Sequence, residues 1–171
     1  MELNEDFELA SLLREKRSLD SKIERYIKES TNNVIRFSAK KFVGDLGEYY
    51  FFKHADIFKN IHQCAPSNSD CDLIGELKDG FAQEHNLPPS VRIEVKTRYA
   101  QMGNNHLFGI NCEKFDLLAF VALDELFQCR YIGILKVDDV LEKVDGQKRI
   151  RYSDLHEGKR VIWESSEWTE L

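Results

Sequence analysis

Leu117-Leu118-Ala119-Phe120-Val121-Ala122-Leu123 is an unbroken apolar run. Side chains of a strand alternate between faces, so such a run describes a central strand buried on both sides. A sheet covered on both faces needs helices above and below it, which predicts an α/β layer arrangement with a mixed central sheet flanked by helices. Working outward, Cys71 to Ile74, Val91 to Thr97 and Tyr131 to Val137 read as further strands. Another strand is expected from Ile57 towards Cys64, because Ala55 and Asp56 are poor strand formers. Glu76 to Ser90 is polar and closed by Pro88-Pro89, which reads as an extended hairpin connection or insertion, since a double proline cannot sit inside a ladder. Arg149 to Tyr152 and Arg160 to Trp163 are expected as short edge elements, and Asp138 and Asp139 as caps of a short helix through Leu141.

Upstream, Lys41 to His54 has helical spacing: Phe42, Leu46 and Tyr50 share a face, and Gly44 and Gly47 permit close backbone approach. Glu48 occupies the neighbouring face, and the aromatic stretch Tyr49 to Phe52 reads as core rather than as a base-stacking platform. In the first thirty residues Leu9, Leu12, Leu19, Ile23 and Tyr26 recur at helical intervals, with Lys16 in the missing stripe position and Ser30-Thr31-Asn32-Asn33 as a stop. This stripe is expected to pack on the core, with dimer formation or an embrace of DNA as alternatives. The expected organisation is an N-terminal helical arm over 1–37, a core over 38–140 and a C-terminal elaboration of the same domain over 141–171.

A chain of 171 residues with 42% hydrophobic and 11% aromatic content can bury a substantial core. There is no apolar stretch of bilayer length, and the acidic start Glu2-Leu3-Asn4-Glu5-Asp6 is unlike a secretory signal, so a cytoplasmic location and no membrane partner are expected. Cys64, Cys71, Cys112 and Cys129 show no metal-ligand spacing and do not cluster with the histidines. Neither structural zinc nor a disulfide scaffold is expected. The formal charge of −6 runs against a role on nucleic acid. Basic residues nevertheless cluster at Lys40-Lys41, Arg92 to Arg98 and Lys148 to Arg160, which predicts an acidic body with a basic-rimmed cleft.

The chemistry concentrates in Ser69-Asp70-Cys71-Asp72-Leu73-Ile74-Gly75 and Arg92-Ile93-Glu94-Val95-Lys96-Thr97-Arg98. Glu94 and Lys96 project to one side of their strand and Val95 to the other. A divalent ion between Asp72 and Glu94 would be served by two carboxylates and a backbone carbonyl, that of Val95. Magnesium accepts such hard oxygen ligands while retaining waters. Lys96 would lie beside one of those waters.

Read in order, Gly44-x-x-Gly47-Glu48 on a helix, Asp72 at a strand and Glu94-x-Lys96 on the next resemble the PD-(D/E)XK nuclease superfamily over about Lys40 to Asp139. Asp72 matches the first acid of its motif, with Cys71 where proline is usual and Asp70 as a neighbouring acid. Glu94 and Lys96 match the second half, and Glu48 looks like the additional helix acid of several branches. The resemblance implies a restriction-endonuclease-like sheet and Mg²⁺-dependent hydrolysis of DNA phosphodiesters. Asp72 and Glu94 would hold the ion, Lys96 would orient or activate water and stabilise the transition state, and Glu48, in a secondary part, would orient the hydrated ion or a water. The preferred role within the family is a small type II restriction endonuclease acting on duplex DNA as a homodimer. A Holliday-junction resolvase or repair nuclease shares the chemistry, and a catalytically inert nucleic-acid-binding or interaction module is the alternative of a different class. Arg98, Gln101, Asn104 and Asn105 are expected to contact DNA beyond the active edge, and Lys114 a backbone phosphate.

Overall fold

All seven residues of the run at Leu117–Leu123 are buried, as a strand covered on both faces requires. The computed structural model describes residues 2–38, 41–64, 71–99, 106–151, 153–155 and 160–165, with side chains from residue 11 onward. Along the chain come α1 (Glu2–Ser30), α2 (Phe42–His54), β1 (Phe58–Gln63), β2 (Leu73–Leu77), α3 (Asp79–Glu84), β3 (Ser90–Tyr99) and β4 (His106–Leu107). There follow β5 (Leu117–Leu123), β6 (Cys129–Lys136), α4 (Val137–Leu141), β7 (Ile150–Arg151), a 3-10 turn at Ser153–Leu155 and β8 (Trp163–Glu164). The main sheet runs β1-β2-β3-β5-β6-β8, and β4 pairs with β7 in a separate two-stranded ladder. The β3–β5 pair is parallel and the other neighbours are antiparallel. The fold is therefore mixed α/β.

Strand alternation divides the core in two. Leu117, Ala119, Val121 and Leu123 face a cluster containing Ile27 of α1 and Phe51 of α2. Leu118, Phe120 and Ala122 face the other side, against Ile110, Phe115, Val140 of α4, Ile150 and Leu155. Each fully buried Leu, Val or Phe contributes roughly 1.5–3 kcal/mol, so β5 anchors both layers. The Glu76 to Ser90 connection is more ordered than its polar sequence implies. Glu76 and Leu77 extend β2, α3 follows, and the two prolines stand just before β3, where the Pro89 carbonyl accepts the Leu77 N–H at 2.8 Å. Cys71 and Asp72 precede β2 instead of belonging to it.

Four expectations are corrected. Cys64 and Cys71 are joined in a disulfide, their Cα atoms 6.3 Å apart, while Cys112 and Cys129 are free. The cysteines looked unpaired because spacing along the chain ignores the β1–β2 pairing that brings Gln63 opposite Leu73. The α1 stripe is not covered by the core along its described length: Leu12, Leu19 and Tyr26 are 56–63% exposed, and the contacts with the core come near its C-terminal end, from Ile23 and Ile27 and from Tyr26, whose ring lies 6.4 Å from that of Tyr49. A helix of this length extends about 43 Å, and only its C-terminal part meets the core. Asp138 and Asp139 lie inside the first turn of α4, whose N-cap is Lys136 with no side-chain cap bond; there they complement the helix dipole. Gly44 is open to solvent and meets nothing, so close approach is confined to Gly47.

At Gly47 an added Cβ would fall on the Thr97 hydroxyl and within 2.9 Å of Thr97 Cβ. Thr97 is β-branched and held in β3, so it cannot swing aside, and α2 would have to lift from the sheet. Gly47→Ala is expected to lower stability by about 2 kcal/mol. Gly44→Ala, in open space on the same helix, is expected to raise it by about 0.5–1 kcal/mol. Urea denaturation of the two variants checks both signs; equal midpoints would refute the packing assignment.

Candidate active site

The ladder between β2 and β3 ends at Leu73 opposite Ile93. The chain enters it through Asp72, whose N–H donates to the Ile93 carbonyl at 3.1 Å and whose carbonyl accepts the Cys64 N–H at 3.0 Å. One step further along β3, the Val95 N–H donates to Asp72 Oδ2 at 2.8 Å. The carboxylate thus takes over from the strand at the point where β2 stops pairing, and Asp72 is pinned against β3 by backbone and side chain together. The Val95 carbonyl lies on the same strand edge.

Glu94 and Lys96 share a face of β3, as period-two alternation requires. Glu94 Oε1 and Lys96 Nζ are 2.7 Å apart, and both side chains are about one-fifth exposed. The pair is screened from most solvent but remains reachable.

Glu48 arrives from α2. Its Oε2 accepts from Gln63 Nε2 at 2.8 Å, while Gln63 Oε1 accepts the Arg36 N–H at 3.2 Å. Gln63 is therefore the clamp that holds Glu48. Its role is invisible in the sequence, where it is one polar residue at a strand end; only the β1–β2 register brings it beside the Asp72 entry.

The electrostatics tie these acids together. Burial, and then the charge of Asp72, push the Glu48 carboxyl up to about 8, with Asp45 adding to the rise and Gln63 and Lys41 opposing it. Burial and then the Glu94 charge raise Asp72, against the Val95 N–H, Lys96 and Lys41. Asp45, 6% exposed, is likewise raised by burial, against the Ser38 N–H and Lys41. The positive charge of Lys41 thus opposes the rise of all three carboxyls, an effect its place in a basic pair of the sequence does not reveal. Like charges held together out of water are costly unless a cation joins them.

The structure brings Asp72, Glu94 and Lys96 to one place on β3, with Glu48 near enough to feel Asp72. Among the described residues, no group of three or more His, Cys, Asp or Glu side chains is gathered closely enough to hold a metal ion. A magnesium ion would rely on fewer protein donors. Asp72, Glu94 and the Val95 carbonyl are the hard oxygens available, a donor set that suits Mg²⁺ with its remaining positions filled by water.

Arg98 lies two residues beyond Lys96 near the end of β3, half-buried. Lys114 stands at the other end, its N–H donating to the Asn111 carbonyl at 3.0 Å in the turn before β5, next to Glu113, whose carbonyl accepts from Arg92. At ~3.3 Å per residue the β3 positions 92 and 98 are roughly 20 Å apart. Gln101, Asn104, Asn105 and Asp70 lie outside the described residues. The expected basic rim is in part neutralised: Arg92 is paired with Asp116 at 2.9 Å, Arg149 with Asp145 at 2.5 Å, and Arg160 with Glu142 and Asp139.

Comparison with protein-family models and with curated proteins finds no match for this chain. Among the described residues no helix is long and apolar enough to cross a membrane.

Proposed function

We propose that this chain is a Mg²⁺-dependent DNA endonuclease of the PD-(D/E)XK kind, with a restriction-endonuclease-like sheet. The observation that carries this reading is the Asp72 carboxylate bound to the Val95 N–H at 2.8 Å beside the Glu94–Lys96 pair at 2.7 Å. Two segments separated in sequence by a helix-containing connection thereby present acid, acid and lysine at one strand edge. The raised Glu48 supports it from a third segment, since perturbed carboxylates gather where chemistry is done.

In this mechanism Asp72 and Glu94 would hold the ion, with the Val95 carbonyl as a third oxygen. When bound, Mg²⁺ would supply Lewis-acid stabilisation of charge on the scissile phosphate. Lys96, fixed by Glu94, presents ammonium protons to the phosphate oxygens and to the attacking water, stabilising the charge that grows in the transition state. Lys96 need not be the proton acceptor in this mechanism. Glu48, clamped by Gln63, takes a hydrogen bond from a water at the edge of the site or offers one, according to its protonation. Arg98 and Lys114 contact the DNA backbone on either side, with Gln101, Asn104 and Asn105 reading bases. Double-strand cleavage needs two such centres, which a symmetric homodimer would supply.

One observation favours a second reading, a nucleic-acid-binding module without turnover. Glu94 is already paired with Lys96, at 2.7 Å. Incubation of the purified chain with Mg²⁺ and a random-sequence duplex pool, and separately with four-way junctions, separates the possibilities. Discrete duplex cuts support the restriction role and paired junction nicks a resolvase; binding with no cut at any Mg²⁺ concentration supports the inert module.

A further inference from the structure

The Cys64–Cys71 disulfide spans a sequence separation of seven, too local to tie distant parts of the fold together. What it does join is the end of β1 to the residue immediately before Asp72. The same junction is held by the Cys64 N–H donating to the Asp72 carbonyl at 3.0 Å. Asp72 is therefore the first residue downstream of the bridge, and its side chain makes the 2.8 Å contact to Val95. Cys64 is buried and Cys71 half-buried; thiol–disulfide exchange at the bridge depends on access to a sulfur. The two other cysteines, Cys112 and Cys129, remain thiols.

We propose that Cys64 and Cys71 form a reversible thiol–disulfide site that sets the position of Asp72, the disulfide state holding it against β3. The further consequence, that this state binds Mg²⁺ more tightly and cleaves better, rests on the nuclease reading above. Oxidation requires a low-molecular-weight disulfide as the electron acceptor. One cysteine thiolate attacks it, forming a mixed disulfide and releasing one small thiol. The second cysteine then displaces the other small thiol, so two electrons and two protons pass to two thiol molecules as the Cys64–Cys71 bond forms. A reducing dithiol reverses both steps.

Hydrogen exchange of the Val95 amide tests the positioning directly, because that N–H is bound to the Asp72 side chain. In a Cys112→Ser/Cys129→Ser background, the oxidised chain is expected to protect Val95 about tenfold more than the dithiothreitol-reduced chain. Amides within β5, such as Ala119, should not change. Re-oxidation with glutathione disulfide should restore the protection, and the reduced chain provides the comparison even if Cys64→Ser/Cys71→Ser fails to fold. The Mg²⁺ concentration for half-maximal cleavage should rise about tenfold on reduction, as for other losses of ligand support. Equal Val95 protection in both redox states overturns the proposal. A redox response at Val95 in a chain that cuts nothing would support the positioning role and remove the nuclease reading instead.

Discussion

Asp72→Asn, Glu94→Gln and Lys96→Met are each expected to lower Mg²⁺-dependent duplex cleavage by about 10²–10³-fold or more, the usual loss when one preorganised charge is removed from a polar transition state. Asp72→Asn and Lys96→Met should differ in their effects on stability. The Asp72 carboxyl is raised by burial and by Glu94, so Asp72→Asn removes an unfavourable buried charge, while the new amide oxygen still accepts from the Val95 N–H. That variant should be as stable as the parent or more so. Lys96→Met takes away the cation 2.7 Å from Glu94 and leaves two carboxylates facing each other, so it should destabilise by roughly 1–3 kcal/mol. A group placed for folding alone would not lose activity while gaining stability. Single-turnover cleavage measured beside chemical denaturation checks both halves; near-normal turnover in all three variants would end the nuclease assignment.

The second large effect is expected at Glu48. Its folded-state carboxyl is raised from 4.5 to about 8, so between those values the native chain binds a proton that the unfolded chain has lost. Stability from this group is therefore complete below about pH 4.5 and is lost as pH rises towards 8, by at most about 5 kcal/mol at about 1.4 kcal/mol per pH unit. Glu48→Gln keeps an acceptor for Gln63 and cannot ionise. It should flatten the profile and exceed the parent by about 2–4 kcal/mol at pH 8.5, while matching it near pH 5. Urea unfolding at pH 5, 7 and 8.5 provides the test, and parallel profiles for parent and variant would refute it. If the nuclease reading holds, Mg²⁺ should also raise the melting temperature of the parent more at pH 8.5 than at pH 5, because a cation bound only by the native state offsets the buried negative charge.

The strands were legible because their information is local. Leu117–Leu123 carries its double burial in an unbroken apolar run, and Glu94-Val95-Lys96 announces its two faces by alternation. Helix α2 and the stop after Ser30 were likewise written in spacing and turn residues. Contacts that depend on pairing between segments were not legible. Gln63 on Glu48, the Cys64–Cys71 bridge and the Val95 N–H on Asp72 all follow from β1 lying against β2 and β2 ending at Ile93. A shift of register would dissolve each of them without changing a residue. The exposed Leu12 and Leu19 make the complementary point: an apolar helical stripe states what can be buried, and tertiary packing decides how much is. Sequence alone thus determined the mixed α/β plan and which acids and lysine fall at strand edges. Tertiary structure decided which of them share an electrostatic field and which residues hold them there, because burial and charge coupling are properties of packed neighbours and not of any one segment.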